Sequence, residues 1–139
     1  TGEEYNTRFN GNHVVNFLGG KEFKVGRNKN NVLGLNLRLL WAGGNRYTPV
    51  NIPASQESGQ TVRDWSQPYG AQVPDYFRPD IRVSYRWNRP KYSSILSLDV
   101  QNVINRANVF TRYYDSSKGA MVDSNQLGLI PVLNYRIEF

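Results

Sequence analysis

Leu33-Gly34-Leu35-Asn36-Leu37-Arg38-Leu39-Leu40-Trp41-Ala42 is the stretch that decides the fold. Leu33, Leu35, Leu37, Leu39 and Trp41 share one parity, and Gly34, Asn36, Arg38 and Ala42 lie on the other. Side chains alternate across a strand with a period of two, so a leucine face opposed by Asn and Arg describes a strand with one apolar and one wet side. Four further segments repeat the period, and no 3.6-residue period is sustained anywhere. Residues 9–25 place Phe9, Gly11, His13, Val15, Phe17, Gly19, Lys21, Phe23 and Val25 against mostly polar or small neighbours, and end at the turn Gly26-Arg27-Asn28-Lys29. Residues 76–87 set Phe77, Pro79, Ile81, Val83, Tyr85 and Trp87 against Arg78, Asp80, Arg82, Ser84 and Arg86, before the turn Asn88-Arg89-Pro90-Lys91. Residues 92–104 set Tyr92, Ser94, Leu96, Leu98, Val100, Asn102 and Ile104 against Ser93, Ser97, Asp99 and Gln101. Residues 127–139 set Leu129, Pro131, Leu133, Tyr135, Ile137 and Phe139 against Asn134, Arg136 and Glu138. The reading is therefore five strands, at 9–25, 31–42, 76–87, 92–104 and 127–139, with long connections at 43–75 and 105–126. The second connection is expected to hold a small hairpin, Val109 to Tyr114 against Ala120 to Val122. Pro79 and Pro131 lie inside strands, where a missing ladder donor predicts a bulge or an unpaired position.

Composition narrows the function. A chain of 139 residues is enough for one domain with one core. Cysteine is absent, which excludes disulfides, a thiolate nucleophile and Cys-ligated zinc. His13 is the single histidine, so multi-His metal sites are excluded and any triad must run through it. The net charge of +6, from 17 Lys+Arg and 11 Asp+Glu, is scattered along the chain. With 12 Gly, 16 Asn, 9 Tyr, 6 Phe and 3 Trp, the composition favours strands joined by turns. The longest apolar run, Leu127 to Leu133, contains Gly128 and Pro131 and falls short of the roughly 18 residues of a helical membrane span. Residue 1 is Thr, with no initiator Met, apolar signal region or basic leader, and the expectation is a piece of a larger chain.

Alternation alone suits a soluble sandwich as well as a membrane barrel, and three features decide. Full charges stand at strand centres, where a wet lumen tolerates them: Arg38, Asp80, Arg82, Asp99 and Arg136. The strands exceed the roughly 5–6 residues typical of globular domains and match a tilted membrane strand. Connections alternate short and long, as periplasmic turns and external loops do. Aromatics agree: with the C-terminus periplasmic, Tyr85, Trp87, Tyr92, Tyr135 and Phe139 gather at one boundary, and Trp41 and Phe77 at the other. The expected fold is all-β: antiparallel transmembrane β-strands, the C-terminal part of a large outer-membrane β-barrel. Closure takes about eight strands or more. Unpaired edge groups in lipid cost several kcal/mol each, so this wall section must pair with further strands.

The segments Asp75-Tyr76-Phe77-Arg78-Pro79-Asp80-Ile81-Arg82-Val83-Ser84-Tyr85-Arg86 and Leu98-Asp99-Val100-Gln101-Asn102-Val103-Ile104-Asn105 resemble late strands of the TonB-dependent receptors of the Gram-negative outer membrane. Gly128-Leu129-Ile130-Pro131-Val132-Leu133-Asn134-Tyr135-Arg136-Ile137-Glu138-Phe139 resembles that family's closing strand, and Gly44-Asn45-Arg46-Tyr47-Thr48-Pro49 is similar to a segment following an earlier one. The resemblance covers essentially the whole chain. It implies location in the bacterial outer membrane and import of a nutrient (a glycan, a peptide or a metal chelate) with energy relayed by TonB. It also implies the partners: the remaining barrel strands and plug of a parent chain, outer-membrane lipid, TonB itself and the barrel-assembly machinery, which would read Tyr135, Ile137 and Phe139 as its signal. A surface lipoprotein is a further candidate partner.

Within that frame, Arg46, Tyr47, Arg63, Trp65 and Tyr69 in the first long loop are the candidate ligand contacts, because aromatic and Arg side chains recognise sugars, peptides and chelates well. The alternative is a loop that only packs against neighbouring loops or a lid protein. Arg38, Asp80, Arg82, Asp99 and Arg136 are expected to form a polar network on the inner wall, with Asp99 facing Arg82 or Arg136. His13 reads as an interfacial side chain on the lipid face. Glu3-Glu4, Asp115 and Asp123 offer no carboxylate pair for acid–base work. Gly19-Gly20 and Gly43-Gly44 lack the strand–helix context of a phosphate cradle and read as kinks or turns. Lys21, Lys24, Arg27 and Lys29 read as a solvated turn and not as a nucleic-acid site. No catalytic, cofactor or metal site is expected. Two rival readings remain: a barrel without a plug, porin-like or adhesin-like, and a soluble β-sandwich binding module whose core would be the leucine face.

Overall fold

The structure is a computed structural model and describes residue 2 and residues 4–139; Glu3, half of the acidic pair considered above, lies outside the described residues. In chain order the elements are β1 (Val14–Val25), β2 (Asn31–Ala42), β3 (Arg46–Tyr47), α1 (Ile52–Ser58), β4 (Ala71–Gln72), β5 (Tyr76–Asn88), β6 (Ser93–Gln101), β7 (Val109–Asp115), β8 (Ala120–Asn125) and β9 (Ile130–Glu138). Among the described residues the fold is all-β apart from that one short helix. One five-stranded sheet runs in the order β1-β2-β5-β6-β9, and β3-β4 and β7-β8 form two small sheets.

The chain divides into two compact units. One comprises residues 1–14, 41–76 and 107–127, and the other residues 15–40, 77–106 and 128–139. The second unit carries the large sheet. Its antiparallel registers align like with like: Val83, Leu98 and Leu133 form one cross-strand row, and Tyr85, Leu96 and Tyr135 the next. The alternate rows are Arg82–Asp99–Val132 and Ser84–Ser97–Asn134. Cross-strand neighbours of this kind are the unit of sheet stabilisation, and here the period of two sorts them by polarity. Ile95 departs from the sorting. It lies between Arg86 and Arg136 on the polar side and is 9% exposed. The short turns after β1 and β5 are stitched together, because Asn88 Nδ2 donates to the Asn30 carbonyl at 2.6 Å and the Asn88 amide donates to Asn31 Oδ1 at 3.3 Å.

Element ends differ from the alternation for local chemical reasons. β1 begins at Val14 and not at Phe9, because residues 9–13 turn, with Asn12 at φ 72°. β6 begins at Ser93 and ends at Gln101, short of 104. Asn102, 1% exposed and at φ 51°, ends it: its amide donates to Asp80 Oδ1 at 2.9 Å, its Nδ2 donates to the Arg106 carbonyl at 2.9 Å, and its Oδ1 accepts from the Arg106 amide at 3.1 Å. Asn105 Oδ1 accepts the Leu129 amide at 2.9 Å, and β9 starts at Ile130 and not at Leu127. No bulge forms at Pro131, which pairs with Val100 in an unbroken register. Its missing amide costs the strand one ladder donor without shifting the register. Pro79 lies beyond the last β5–β6 register pair, Ile81↔Val100, and its carbonyl still accepts from Val103 at 2.9 Å. The connection 43–75 is also more than a loop, since it holds β3, α1 and β4. Asn51 caps the helix by accepting from the Ala54 amide, and Gly59 at φ 67° closes it.

Candidate functional site

The first unit gathers the predicted contact residues. Arg46 and Tyr47 form β3, which pairs antiparallel with β4 as Arg46↔Gln72 and Tyr47↔Ala71. Arg63 follows on an isolated bridge to Val50, and the Asp64 amide donates to the Pro49 carbonyl at 2.8 Å, which brings residues 63–69 back alongside β3. Tyr69 takes a left-handed φ of 53°, with its amide donating to Thr48 Oγ1 at 3.2 Å. The result is one cavity of about 190 Å³ lined by Arg46, Tyr47, Arg63, Trp65 and Tyr69, completed by Arg8, Thr48 and Thr111. The first five are legible in the sequence by residue type, and Arg8, Thr48 and Thr111 carry no such signal there.

The three arginines of this cavity do different work. Arg63 donates Nη1 to the Thr48 carbonyl at 3.0 Å and Nη2 to the Arg112 carbonyl at 2.9 Å, so it braces the 43–75 segment against β7. Thr61 reinforces the seam, accepting from the Tyr114 amide at 3.1 Å and donating to the Tyr114 carbonyl at 3.2 Å. The Arg46 amide donates to the Arg8 carbonyl at 2.9 Å, and its Nε donates to the Asn10 carbonyl at 2.9 Å. The Arg8 guanidinium lies 4.8 Å from the Phe110 ring centroid and 5.9 Å from that of Phe9. A guanidinium over an aromatic face is held by the ring quadrupole and keeps its edge donors free. Among the described residues no Asp or Glu lines the cavity. The nearest in sequence, Asp64, is held below the usual carboxylate range by the Ser66 hydroxyl first and the Ser66 amide second, at 2.6 and 3.0 Å. Behind the cavity, Arg112 is raised above its ordinary range by hydrogen bonding to Tyr47 and then to Asp123, whose Oδ1 stands 2.7 Å from Arg112 Nε.

His13 is not isolated within this unit. Its ring stands edge-on to Trp41 at 4.7 Å, and its Nε2 lies 3.7 Å from Asp75 Oδ2, which also accepts Trp41 Nε1–H at 3.2 Å. Nε2 is shielded from solvent without a hydrogen-bond partner among the described residues. Gly43 and Gly44 are points of close backbone approach and not kinks: a Cβ on Gly43 would fall on the Gly11 carbonyl, and one on Gly44 on the Val73 carbonyl.

In the second unit the polar face of the large sheet is concave enough to form a cleft of about 670 Å³, whose lining includes Arg38, Asp80, Arg82 and Asp99. Asp80 pairs with Arg78 at 3.0 Å, and Asp99 with Arg82 at 3.6 Å. Arg82 Nη2 also donates to Ser97, and Asn134 Nδ2 to Asp99, both at 3.2 Å. Arg136 lies apart from Asp99; it pairs with Glu138 at 2.7 Å and lines a neighbouring cavity of about 440 Å³ that Arg82 also borders. On the opposite face Tyr135 donates its hydroxyl to Ser94 Oγ at 3.2 Å, while Ile137 and Phe139 are exposed. The Tyr85 and Trp87 rings meet at 4.6 Å. Among the described residues no group of three or more His, Cys, Asp or Glu side chains could hold a metal ion. Compared with known protein families, with characterised proteins and with solved structures, the chain matches none.

Proposed function

We propose that the chain is a wall section of an outer-membrane β-barrel of the TonB-dependent transporter type, and that its first unit contacts the imported nutrient. One observation carries this reading: the apolar face of the five-stranded sheet is uncovered. Leu35, Leu37, Val83, Leu96, Leu98, Leu133, Tyr135 and Ile137 are all exposed, Leu133 to 70% and Tyr135 to 62%, and no second sheet packs over them among the described residues. Burying a side chain of this size contributes about 1.5–3 kcal/mol, so leaving the whole face in water forfeits the main stabilising term available to the sheet. Lipid supplies the missing apolar contact, and the charged opposite face then lines water. In this reading the short turns face the periplasm, the long connections face outside, and β1 and β9 pair with strands outside residues 1–139. The Tyr85–Trp87 pair and Tyr135 form the periplasmic aromatic girdle.

Substitution on each face tests the assignment. Leu37→Arg places a cation at mid-bilayer at a cost of about 2–4 kcal/mol and is expected to abolish assembly in outer membranes. Asn134→Arg, on the wet face, is expected to assemble. Normal assembly of Leu37→Arg, scored by heat-dependent gel mobility of the parent barrel, would remove the lipid-facing assignment.

A further inference from the structure

We infer that the cavity between Arg8, Arg46, Trp65 and Tyr69 takes the terminal residue of an acidic saccharide, a pyranose ring bearing a carboxylate. The inference deepens the proposed function and rests on it only for the ligand's import.

Charge is the first argument. Three guanidinium groups border the cavity with no carboxylate in the lining among the described residues, and Asp64 is occupied by Ser66. A concave site of one sign selects the opposite charge. Because Arg63 has both terminal nitrogens on carbonyls, recognition falls to the other two arginines. Among the described residues Arg46 uses only Nε, on the Asn10 carbonyl, which leaves its two terminal nitrogens for a ligand. Arg8 makes no ion pair and no side-chain hydrogen bond among the described residues, and its two flanking rings restrain it. A planar fork with free edges matches a carboxylate in bidentate geometry.

Shape is the second argument. About 190 Å³ is smaller than the roughly 300–1,000 Å³ of pockets that enclose a drug-sized ligand, so a single ring enters and the remainder stays outside. That excludes a bulky metal chelate from the cavity itself. Trp65, 70% exposed, offers an open indole face on which the C–H face of a pyranose can lie, and Tyr69 presents a second ring. A free amino acid would bring an ammonium group that finds no carboxylate in the lining among the described residues.

The test uses the full parent protein in detergent, with binding followed by calorimetry and by tryptophan fluorescence. Probes are trigalacturonate, glucuronate and N-acetylneuraminate, each beside its methyl ester, together with inorganic phosphate. The expected result is binding of at least one acid, with its ester about tenfold weaker or worse, as loss of a charge-assisted hydrogen bond implies. Arg8→Gln and Arg46→Gln should each weaken the acid about tenfold and leave the ester unchanged. Trp65→Phe should remove most of the fluorescence response. Equal binding of acid and ester, displacement by phosphate as effective as by the acid, unchanged affinity in both arginine variants, or no binding of any acid would each overturn the inference. Heat-dependent gel mobility of the same samples separates the two readings. A barrel that assembles and binds no acid overturns the site alone, whereas failure of the unsubstituted protein to behave as a barrel overturns the wall.

Discussion

Gly43 leaves no room for a side chain. A Cβ there falls on the carbonyl oxygen of Gly11, and a Cβ on Gly11 would stand 2.6 Å from the Gly43 oxygen. Both obstacles are backbone and cannot swing aside, and the Gly43 amide is committed to the His13 carbonyl at 2.9 Å. Gly43→Ala is therefore expected to cost about 1–3 kcal/mol, the range for forced overpacking, read as a lower unfolding midpoint and faster proteolysis within residues 43–75. Gly59→Ala meets open space but must keep φ near 67°, so its expected cost is smaller, about 1 kcal/mol. Charge acts at the same scale in the turn after β7. Asp115 is held below its usual 3.8, first by the Ser117 hydroxyl at 2.6 Å. A depressed folded value means that the stabilisation is present above 3.8 and is lost as pH falls below it through the folded value. Ser117→Ala is expected to move the Asp115 midpoint back toward 3.8, measured by NMR titration. Single residues are also where the sequence is least readable. Arg46, Tyr47, Arg63, Trp65 and Tyr69 stand out by type inside an irregular stretch, but Arg8 precedes the first strand with no period around it, and long-range contacts, the Arg46 amide on its carbonyl and the Phe110 ring under its guanidinium, bring it to the cavity.

Strands are more legible than residues because a period of two survives everywhere that one face is apolar. Asn31–Ala42 is bounded as the alternation predicts, since five apolar side chains, Leu33 to Trp41, share one parity and Gly34, Asn36, Arg38 and Ala42 oppose them, with Val32 and Leu40 as exceptions. Strand ends are hidden, because Asn102 gives its amide to the Asp80 carboxylate and Asn105 accepts the Leu129 amide on its side chain, and no local pattern announces which Asn will do so. Ile95 is the instructive exception within β6. By parity it belongs with Ser97 and Asp99, yet it is buried, since the polar row holds the long stems of Arg86 and Arg136 on either side of it. Arginine stems cover apolar surface while their charges stay wet. The two kinds of interaction on this face are therefore expected to differ in weight. Arg82–Asp99 is a 3.6 Å pair with the arginine half exposed, the class whose contribution is about 0–1 kcal/mol. Deleting most of a buried isoleucine costs about 2–5 kcal/mol, with the low end suited to a half-open face. Ile95→Ala should destabilise the folded protein in vesicles more than Asp99→Asn, in equilibrium denaturation of the two variants. Equal effects would mean that the charge network, not the covered isoleucine, sets the strength of this face.

For the whole molecule the decisive quantity is what the sheet lacks. Its order, β1-β2-β5-β6-β9, leaves β1 and β9 each with one unpaired edge, and its apolar rows meet no cover within the described chain. In water, an exposed long edge beside an apolar face is a template for pairing with another chain. In lipid, each unsatisfied edge group costs several kcal/mol, so neither solvent stabilises five strands by themselves. The first unit differs in kind: its polar side chains satisfy its backbone through Arg63, Thr61, Asn51 and Thr48, with Thr48 and Ser55 buried, and it exposes no comparable apolar face built from aligned rows. Residues 1–139 produced alone are accordingly expected to be insoluble or soluble only as aggregates in detergent-free buffer, and to stay incompletely paired in detergent. The same residues within a chain that supplies at least three more strands, the number needed to reach about eight, should give a discrete, heat-modifiable species. Sedimentation velocity distinguishes the outcomes. A sharp monomer of 16.0 kDa in plain buffer would require a covered leucine face, and the chain would then be a soluble sandwich with Leu33, Leu35, Leu37 and Leu39 in its core.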